Sequence, residues 1–581
     1  MRLPTLDRRR AVRLALSALA AVLMFLSAPT YDVWPLMWVG MIPQIYVALD
    51  SATPKRAFLH GWLTGTIANT AAFAWMSGFL RHFGHMSAIQ AIPVMLLLTT
   101  YQGLEFAFLS WGIFRVRRRV GAAWPMALLA PLVMVVIELV TPQIFPFYLA
   151  ITQAWVPPVI QIADLTGPLG VTFLLVAVNG ALHDLWAAWR ARRAGGTVAW
   201  KQALRPPAAV ALLIVMVLGY GVWRMRQVDA RRAAAPKAKA GLVQANVGIL
   251  EKWDPREFAR LVETHQRLSA DLQRAGADFL VWPESSYSYL LPRDVAHDLA
   301  PDDPRRIRSG FDKPLLFGAI TRAPGPPSTF KDRFPYNTAL MMDAEGRITG
   351  KYDKVFLMMF GEYIPFYESV PWFTDLFPEA SNTNRGEDPA VFPLRLLDGD
   401  PQRVPKPPRE GLRRAEPGSV HANHGQSFRL GPLICYEDIL PGFARRLASL
   451  RPNLFVNITN DAWFGRTAEP YQHLALAVFR SVEHRIEMVR AVNTGVSAHI
   501  DAAGRVRAAT ASYDPLAQPP PEPVTLLAEV ALLDGGGLYR IIGDLFGMLC
   551  LAGLVALLVR RTGTPAEEPR ARPARKRRKS R

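Results

Sequence analysis

Apolar stretches long enough to cross a lipid bilayer recur along this chain, and they decide what it can fold into. Seven lie at roughly 11–28, 33–49, 57–80, 88–114, 122–140, 159–189 and 207–223, and an eighth lies at roughly 540–559. A transmembrane helix needs about 20 mostly apolar residues. The sequence therefore predicts a polytopic α-helical membrane bundle of about eight spans, with one long segment outside the membrane between the seventh span and the eighth.

The first apolar run has the features of a secretory signal, because Arg8, Arg9 and Arg10 precede it and small residues end it. Six further apolar runs follow it closely. We therefore expect the first run to be retained as the first helix of the bundle.

The positions of lysine and arginine predict how the chain is oriented in the membrane. These residues cluster before the first span and after the second, fourth, sixth and eighth spans. Because positive residues stay on the cytoplasmic side, both termini are predicted to be cytoplasmic and residues 225–537 to lie on the outer face. Four arginines between Arg224 and Arg232 lie on the outer side, but long translocated domains override such local charge.

The same basic clusters account for the net charge of +19. The predicted cytoplasmic segments carry more positive charge than this excess, which leaves the outer segment close to neutral. No nucleic-acid partner is therefore expected, and attraction to anionic lipid headgroups explains the basic tail. The predicted parts are seven membrane helices (1–224), an outer domain (225–537), an eighth helix (538–560) and a basic cytoplasmic tail (561–581).

Strand and helix patterns alternate within the outer segment. Helices are predicted at about 255–276, 443–450 and 468–487. Strands are predicted at about 238–247, 278–282, 315–320, 337–342, 347–352, 428–435, 454–458, 488–493 and 497–500. This alternation predicts an α/β domain with helices on the faces of its sheets. The Pro- and Arg-rich stretch 396–424 has no apolar period and is expected to be a solvated loop, with no purpose assigned.

Two cysteines are present, and they lie in different parts of the chain. Cys550 falls inside the eighth apolar run, whereas Cys435 ends an apolar strand of the outer segment. The two thiols cannot reach each other, so no disulfide is expected. A lone thiol in an oxidising compartment is a candidate reactive group.

Two further groups complete a possible reaction centre with Cys435. Glu284 directly follows a predicted strand, and Lys354 follows another. A thiol, an amine and a carboxylate are the groups that acyl transfer through a thioester requires. Each also has an ordinary interpretation: a packed thiol, an acid at the end of a strand, and a surface ion pair of Lys354 with Asp353.

Four sequence motifs surround these residues. They are Val281-Trp282-Pro283-Glu284, Tyr352-Asp353-Lys354 with Phe360-Gly361-Glu362-Tyr363-Ile364-Pro365, Ile434-Cys435-Tyr436-Glu437, and Asn457-Ile458-Thr459-Asn460-Asp461-Ala462-Trp463-Phe464-Gly465. Together they resemble the Glu–Lys–Cys motifs of the carbon–nitrogen hydrolase, or nitrilase-like, superfamily. An outer domain set between seven helices and an eighth, together with the runs 160–167 and 179–182, is similar to the apolipoprotein N-acyltransferase family within it.

This resemblance implies a fold and a set of residue roles. The outer domain would be a nitrilase-like αββα sandwich. Cys435 would be the acylated nucleophile, Glu284 the general base, and Lys354 the group that stabilises the oxyanion. Glu362 and Glu437 would be supporting acids near the thiol, and we expect them to orient Lys354 and keep it charged by opposite-charge stabilisation. The remaining implied residues are a polar active-site residue, Asn337, and three aromatic residues at the lipid entrance, Trp253, Trp463 and Phe464.

The resemblance also implies a reaction. An acyl chain would pass from a membrane phospholipid to Cys435 and then to the α-amino group of the diacylglyceryl-cysteine of an apolipoprotein, the last step of bacterial lipoprotein maturation. The protein would act as a monomer in the bacterial inner membrane, with its catalytic domain in the periplasm, and it would need no cofactor and no metal.

Two other classes of function remain open. One is a membrane-anchored amidase or nitrilase with water as the acceptor, for which a single anchoring helix would suffice. The other is a transporter or receptor whose outer domain only binds, although the spans show no paired broken helices and few charges. The intramembrane acids Glu105 and Glu138 are expected to be structural, because the outer domain has its own candidate acid.

Overall fold

The computed structural model describes residues 7–82, 84–325, 333–359, 361–363, 382–396, 427–511 and 522–560. Nearly all of the predicted loop at 396–424 lies outside the described residues, as does the basic tail at 561–581.

The N-terminal part of the chain is helical throughout, as its apolar runs predict. Its helices are α1 (Arg8–Ser27), α2 (Met37–Gly40), α3 (Ile42–Asp50), α4 (Pro54–Ala72), α5 (Met76–His82), α6 (Ala88–Gln102), α7 (Leu104–Val120), α8 (Met126–Val140), α9 (Pro157–Ile160), α10 (Ala163–Thr166), α11 (Pro168–Arg193), α12 (Trp200–Ala203) and α13 (Arg205–Ala234).

Among the described residues, four helical stretches are long and apolar enough to cross a membrane. They are Arg8–Ser27, Ala88–Val120, Pro168–Arg193 and Trp200–Ala234. Two shorter apolar helices, α8 and the C-terminal α19 (Leu545–Val559), correspond to the predicted fifth and eighth spans. The predicted second span is divided into short helices, with a proline in the first turn of α3, and the predicted third is divided into α4 and α5. The count of about eight spans therefore stays a prediction.

The two intramembrane acids are buried in the bundle and hydrogen-bonded within it. Gln143 Nε2 donates to Glu105 Oε2 at 3.0 Å, and the N–H of Leu149 donates to Glu138 Oε1 at 2.8 Å. These contacts connect α7 and α8 to the segment that follows α8. They are consistent with the structural role expected from the sequence.

The segment after α13 forms two β-sheets with helices between the strands. The strands are β1 (Lys237–Gln244), β2 (Phe279–Val281), β3 (Tyr287–Pro292), β4 (Leu315–Arg322), β5 (Tyr336–Met342), β6 (Ile348–Asp353), β7 (Phe392–Arg395), β8 (Ser427–Ile434), β9 (Leu454–Thr459), β10 (Glu487–Val492), β11 (Ala498–Ile500), β12 (Val506–Ala509) and β13 (Val524–Ala531). The helices are α14 (Ile249–Lys252), α15 (Phe258–Arg274), α16 (Pro441–Ser449), α17 (Glu469–His484) and α18 (Tyr539–Ile542).

Each sheet mixes parallel and antiparallel neighbours. The first has the order β13-β1-β2-β4-β5-β6, with β3 also paired to β4, and the second has the order β12-β11-β10-β9-β8-β7. In the first, β1, β2 and β4 run parallel, and in the second, β8, β9 and β10 do. The parallel strands β2 and β8 lead directly to Glu284 and Cys435.

The two sheets face each other, and helices cover their outer faces. In β4, Leu316 joins the core that both sheets share, whereas Leu315 and Phe317 pack in a separate core with residues of α15. Side chains alternate in this way because successive residues of a strand point to opposite faces. On the second sheet, Gly431 of β8 lies against Leu447 of α16. The predicted α/β domain with helices outside its sheets is confirmed.

A buried polar network joins the helical bundle to the sheet domain. Asp164 of α10 accepts hydrogen bonds from Tyr220 (2.7 Å), Arg224 (2.7 Å) and Arg485 (2.9 Å). Arg485 ends α17 in a left-handed conformation, with φ of +56°. Two guanidinium groups therefore converge on one carboxylate, and this holds α17 of the sheet domain against α10 and α13 of the bundle.

Candidate active site

Glu284 and Lys354 meet at the edge of the first sheet, as the sequence predicts. Glu284 lies just beyond β2 and Lys354 directly after β6, and both are almost fully buried. Lys354 Nζ lies 3.1 Å from Glu284 Oε1 and 2.8 Å from Glu362 Oε2. Burial disfavours the charged amine, but the charges of Glu284 and Glu362 outweigh it and hold the pKa of Lys354 well above its usual value.

Asn337 completes this network from β5. Its Nδ2 donates to Glu284 Oε1 at 2.7 Å and to Glu362 Oε1 at 2.9 Å. The N–H of Met358 donates to the other oxygen of Glu362 at 2.9 Å. Glu284 and Glu362 are thus fixed by a neutral amide and a cation together, which sets the direction of each carboxylate.

Cys435 occupies a sharp turn at the end of β8. It is the first residue after the strand, and its φ of +52° lies in the left-handed region that non-glycine residues rarely adopt. Strained backbone of this kind clusters at functional sites. Burial and the charge of Glu284 raise the pKa of the thiol to about 12, although Lys354 and His473 act in the opposite direction.

Glu437 is fully buried, and its role of orienting Lys354 and keeping it charged stays a prediction. The charges of Glu437 and Lys354 interact, but the described hydrogen bonds of Glu437 go to other groups. The donors are the hydroxyl of Tyr352 (2.6 Å) and the N–H groups of Val355 (2.7 Å), Phe356 (3.1 Å) and Ile434 (2.8 Å). Three of these donors lie within two residues of Lys354 in the chain, and the fourth, Ile434, directly precedes Cys435. Glu437 is therefore a positioning residue that ties the lysine segment to the cysteine strand.

A mainly apolar cavity opens beside Cys435. Its aromatic wall comes largely from the helical bundle and the segment after α8. The aromatic residues that line it are Phe73, Trp75, Phe145, Phe147, Tyr436 and Phe464.

The three aromatic residues predicted at the lipid entrance are in different surroundings. Phe464 lines the cavity and packs on Trp75, with ring centroids 5.0 Å apart. Trp463 packs next to it, against Phe79, at 6.5 Å. Trp253 is 50% exposed and is not among the residues that line the cavity. Its place on the lipid route stays a prediction.

Sequence reasoning missed a second buried lysine at the site. Lys252 ends α14, next to Trp253, and its Nζ donates to the backbone oxygen of Glu284 at 2.9 Å. Burial lowers the pKa of its amine to about 8, while the charge of Glu284 opposes this shift. Only its place beside Trp253 could have drawn attention to it, because nothing in the sequence marks Lys252 as buried.

Sequence reasoning also missed a polar cluster around His473 on α17. His473 Nε2 lies 2.8 Å from Asp438 Oδ1, and the other oxygen of Asp438 pairs with Arg490. On the opposite side of the ring, Asp461, Glu469 and His473 place one potential ligand atom each within 4.8 Å of one another. This triad is the group of described residues that could hold a cation.

The chain is similar to known proteins along almost its whole length. Residues 20–181 match the family "Apolipoprotein N-acyltransferase N-terminal domain", and residues 239–532 match the family "Carbon-nitrogen hydrolase".

Two named relatives agree with these matches, and the chain is also similar in part to a solved structure. A protein of Geobacter metallireducens named apolipoprotein N-acyltransferase is 31% identical over 97% of this chain and 98% of its own length. One of the same name from Bdellovibrio bacteriovorus is 29% identical over 84% of each chain. The structure of an amidase from Nesterenkonia sp. AN1 is 16% identical, covers 51% of this chain and 94% of its own, and has a TM-score of 0.31. With the matched families covering both the bundle and the sheet domain, this chain belongs to the apolipoprotein N-acyltransferase family.

Proposed function

We propose that this protein moves an acyl chain from a membrane phospholipid to Cys435, as a thioester, and then to the α-amino group of the diacylglyceryl-cysteine of an apolipoprotein. The observation that carries the proposal is that Cys435 interacts electrostatically with the paired Glu284 and Lys354 and also lines an apolar cavity walled largely by the bundle. A lipid ester that enters the cavity from the membrane would reach the thiol directly.

The first half-reaction uses Glu284 as the base. The pKa of about 12 keeps the thiol of Cys435 protonated at neutral pH, so a base must take its proton as sulfur attacks the ester carbonyl. The charged amine of Lys354, together with a backbone N–H, stabilises the oxyanion that develops. The proton held by Glu284 passes to the oxygen of the leaving lysophospholipid, and the thioester remains on Cys435.

In the second half-reaction, the acceptor amine attacks the thioester carbonyl. The carbon–sulfur bond breaks, an amide forms, and a proton of the amine returns to the sulfur of Cys435 through Glu284. Transfer from a thioester to an amide is downhill, so the proposed cycle needs neither ATP nor a cofactor.

The location and assembly follow from the same proposal. The sheet domain faces the periplasm and both termini lie in the cytoplasm, in agreement with the clusters of basic residues. A single chain supplies Glu284, Lys354 and Cys435, so we propose a monomer. An amidase that uses water as the acceptor is disfavoured, because the cavity beside the thiol is lined mainly by apolar side chains.

The test is to incubate the purified protein with phospholipid that carries a radiolabelled acyl chain. Wild-type protein is expected to acquire label that hydroxylamine removes, whereas Cys435→Ser acquires none, because a hydroxyl is a far weaker nucleophile than a thiol. Thermal unfolding of both proteins in detergent checks that the variant is folded. Label on folded Cys435→Ser, or none on wild type, would reject the proposal.

A further inference from the structure

A second group of ionisable side chains borders the cavity beside Cys435, and the reaction described above does not use it. Glu469 and His473 are one turn apart on α17, and both line the cavity. Asp461, which follows β9, is almost fully buried next to them. His473 Nδ1 is 3.5 Å from Asp461 Oδ1 and 3.8 Å from Glu469 Oε1.

Several of these buried polar atoms have no hydrogen-bond partner among the described residues. They are Asp461 Oδ2, Glu469 Oε2 and His473 Nδ1. His473 and Asp461 are each at least nine-tenths buried, so water does not readily satisfy them. Buried polar atoms are nearly always hydrogen-bonded in native proteins, and an exception calls for an explanation such as a catalytic role or a bound water or ion.

The charged side chains of the cluster and its neighbours include one more negative group than positive groups, so one further cation would balance them. Asp438, Asp461 and Glu469 are three carboxylates, whereas Arg490 and His473 supply two positive charges. Burial opposes the charge of His473, but contact with Asp461 and the charge of Glu469 raise its pKa to about 9. Burial and the charge of Asp461 hold the pKa of Glu469 well above its usual value. A cation bound between the carboxylates would balance the remaining negative charge.

We propose that Asp461 and Glu469 form the binding site for the α-amino group of the acceptor, with His473 as the third side chain of that site. This inference rests on the proposed function, which requires such an amine to reach Cys435. An ammonium nitrogen takes hydrogen bonds of about 2.7–2.9 Å to carboxylates and can bridge oxygens up to roughly 5.6 Å apart. The potential ligand atoms lie within 4.8 Å of one another, so an ammonium fits between the two carboxylates.

The same site accounts for how the amine becomes a nucleophile. The bound pair has two forms that differ only in the position of one proton. In one form an α-ammonium lies beside the carboxylate of Glu469, and in the other a free amine lies beside the carboxylic acid of Glu469. Burial disfavours the charged pair, so the site favours the free amine and protonated Glu469. The lone pair of nitrogen then attacks the thioester, its second proton passes to sulfur as described, and Glu469 later releases its proton to water.

Two half-reactions measured separately test this inference. Wild type and Glu469→Gln are first loaded with labelled phospholipid, which reports the thioester on Cys435. The acyl-enzyme is then mixed either with a synthetic peptide whose N-terminal cysteine carries an S-diacylglyceryl group, or with hydroxylamine, which is neutral at pH 7 and needs no ammonium site. The matched control is Glu345→Gln, the same substitution at an exposed turn.

For each protein we compare the rate at which the peptide consumes the acyl-enzyme with the rate at which hydroxylamine does. We expect this peptide-to-hydroxylamine ratio to be at least about tenfold lower in Glu469→Gln than in the wild type, as loss of one charge-assisted hydrogen bond predicts. Glu469→Asp, which keeps the charge, should recover part of the rate. Equal peptide-to-hydroxylamine ratios in wild type and Glu469→Gln would overturn the inference while the thioester chemistry stood. No label on wild-type Cys435 would instead reject the proposed function.

A divalent metal is the competing occupant, because one histidine and two carboxylates can also hold a metal ion. Wild-type transfer to the peptide is therefore measured after treatment with EDTA and again after Zn²⁺ or Mn²⁺ is added. Unchanged transfer in EDTA supports the amine site. Transfer lost in EDTA and restored by a metal would overturn it in favour of a metal site.

Discussion

The thiol of Cys435 lies in surroundings that disfavour its own reactive form. Burial and the charge of Glu284 raise its pKa to about 12, and the nearby Lys354 does not cancel these effects. Many reactive cysteines instead have lowered pKa values. A thiol that stays protonated is protected from stray oxidation and depends on its base at the moment of attack.

The pH dependence of alkylation tests this description of the thiol. In a Cys550→Ser background, the rate at which iodoacetamide modifies Cys435 should rise about tenfold per pH unit from pH 7 to pH 10 without a plateau, because the thiolate fraction grows in this way below the pKa. Mass spectrometry of the modified peptide gives the rate. A plateau near neutral pH would mean that Lys354 already holds a thiolate, contrary to the assignment of a separate base.

Two carboxylates contact Lys354, so the identity of the base needs its own test. We expect Glu284→Gln to slow acylation of Cys435 by at least about 10²-fold, a typical contribution of a general base. Glu362→Gln should slow it less, because Glu362 is more exposed and its contacts fix Lys354 and Asn337. Single-turnover labelling with phospholipid alone measures both. The opposite order would assign the base to Glu362.

Residue patterns predicted the centre of the site better than its surroundings. Glu284, Lys354 and Cys435 each follow a strand, and motifs of this kind are visible in sequence. Lys252 and His473 were missed because each becomes notable only through contacts across the fold, with Glu284 and with Asp438. The hydrogen-bond partners of Glu437 could not be predicted either, since sequence proximity to Cys435 does not reveal which donors its oxygens meet.

At the scale of elements, local patterns predicted those strands and helices whose apolar period is complete. Helix α15 was predicted at about 255–276 and is found at Phe258–Arg274. Strand β8 was predicted to extend to Cys435, but it ends at Ile434. Apolar periodicity cannot detect the positive φ of Cys435, which ends the strand one residue earlier than predicted. Strand β13 was missed, since it follows a proline-rich stretch and pairs with β1, which is distant in sequence.

The positioning contacts between elements also lead to a measurable prediction. Tyr352 at the end of β6 donates one of the four described hydrogen bonds to Glu437, which joins β6 to β8. Tyr352→Phe removes only that hydroxyl, so we expect a loss of about 1.5–3 kcal/mol of stability, the range for hydrogen bonds to charged groups. Denaturant unfolding in detergent measures it.

The matched control for that substitution is Tyr289→Phe, because the hydroxyl of Tyr289 makes no hydrogen bond among the described residues. Tyr289→Phe should change stability by less than about 0.5 kcal/mol, because it removes no described hydrogen bond and keeps the ring that packs on Phe258 and Tyr287. Equal losses in both variants would show that the contact with Glu437 contributes nothing specific.

At the scale of the whole molecule, the fold places the candidate reaction centre of the sheet domain against the helical bundle. The network around Asp164 fixes α17 to the bundle, and Trp75 Nε1 donates to Gln472 of α17 at 3.2 Å. The hydroxyl of Tyr436, next to Cys435, donates to the backbone oxygen of Ile144 at 2.9 Å. A soluble amidase needs no such attachment, whereas an enzyme whose two substrates are both lipid-anchored does.

The orientation of this assembly in the membrane is the last prediction, and it rests on where the basic residues cluster. Single cysteines are introduced at two exposed positions, Glu345→Cys in the outer domain and Thr197→Cys between α11 and α12, in a background of Cys435→Ser and Cys550→Ser. A membrane-impermeant maleimide added to intact spheroplasts should modify only the cysteine at position 345. The cysteine at position 197 should react only after lysis, because the arginines that end α11 keep this segment in the cytoplasm. The reverse pattern would place the chemistry on the cytoplasmic side, where the proposed acceptor would not meet it.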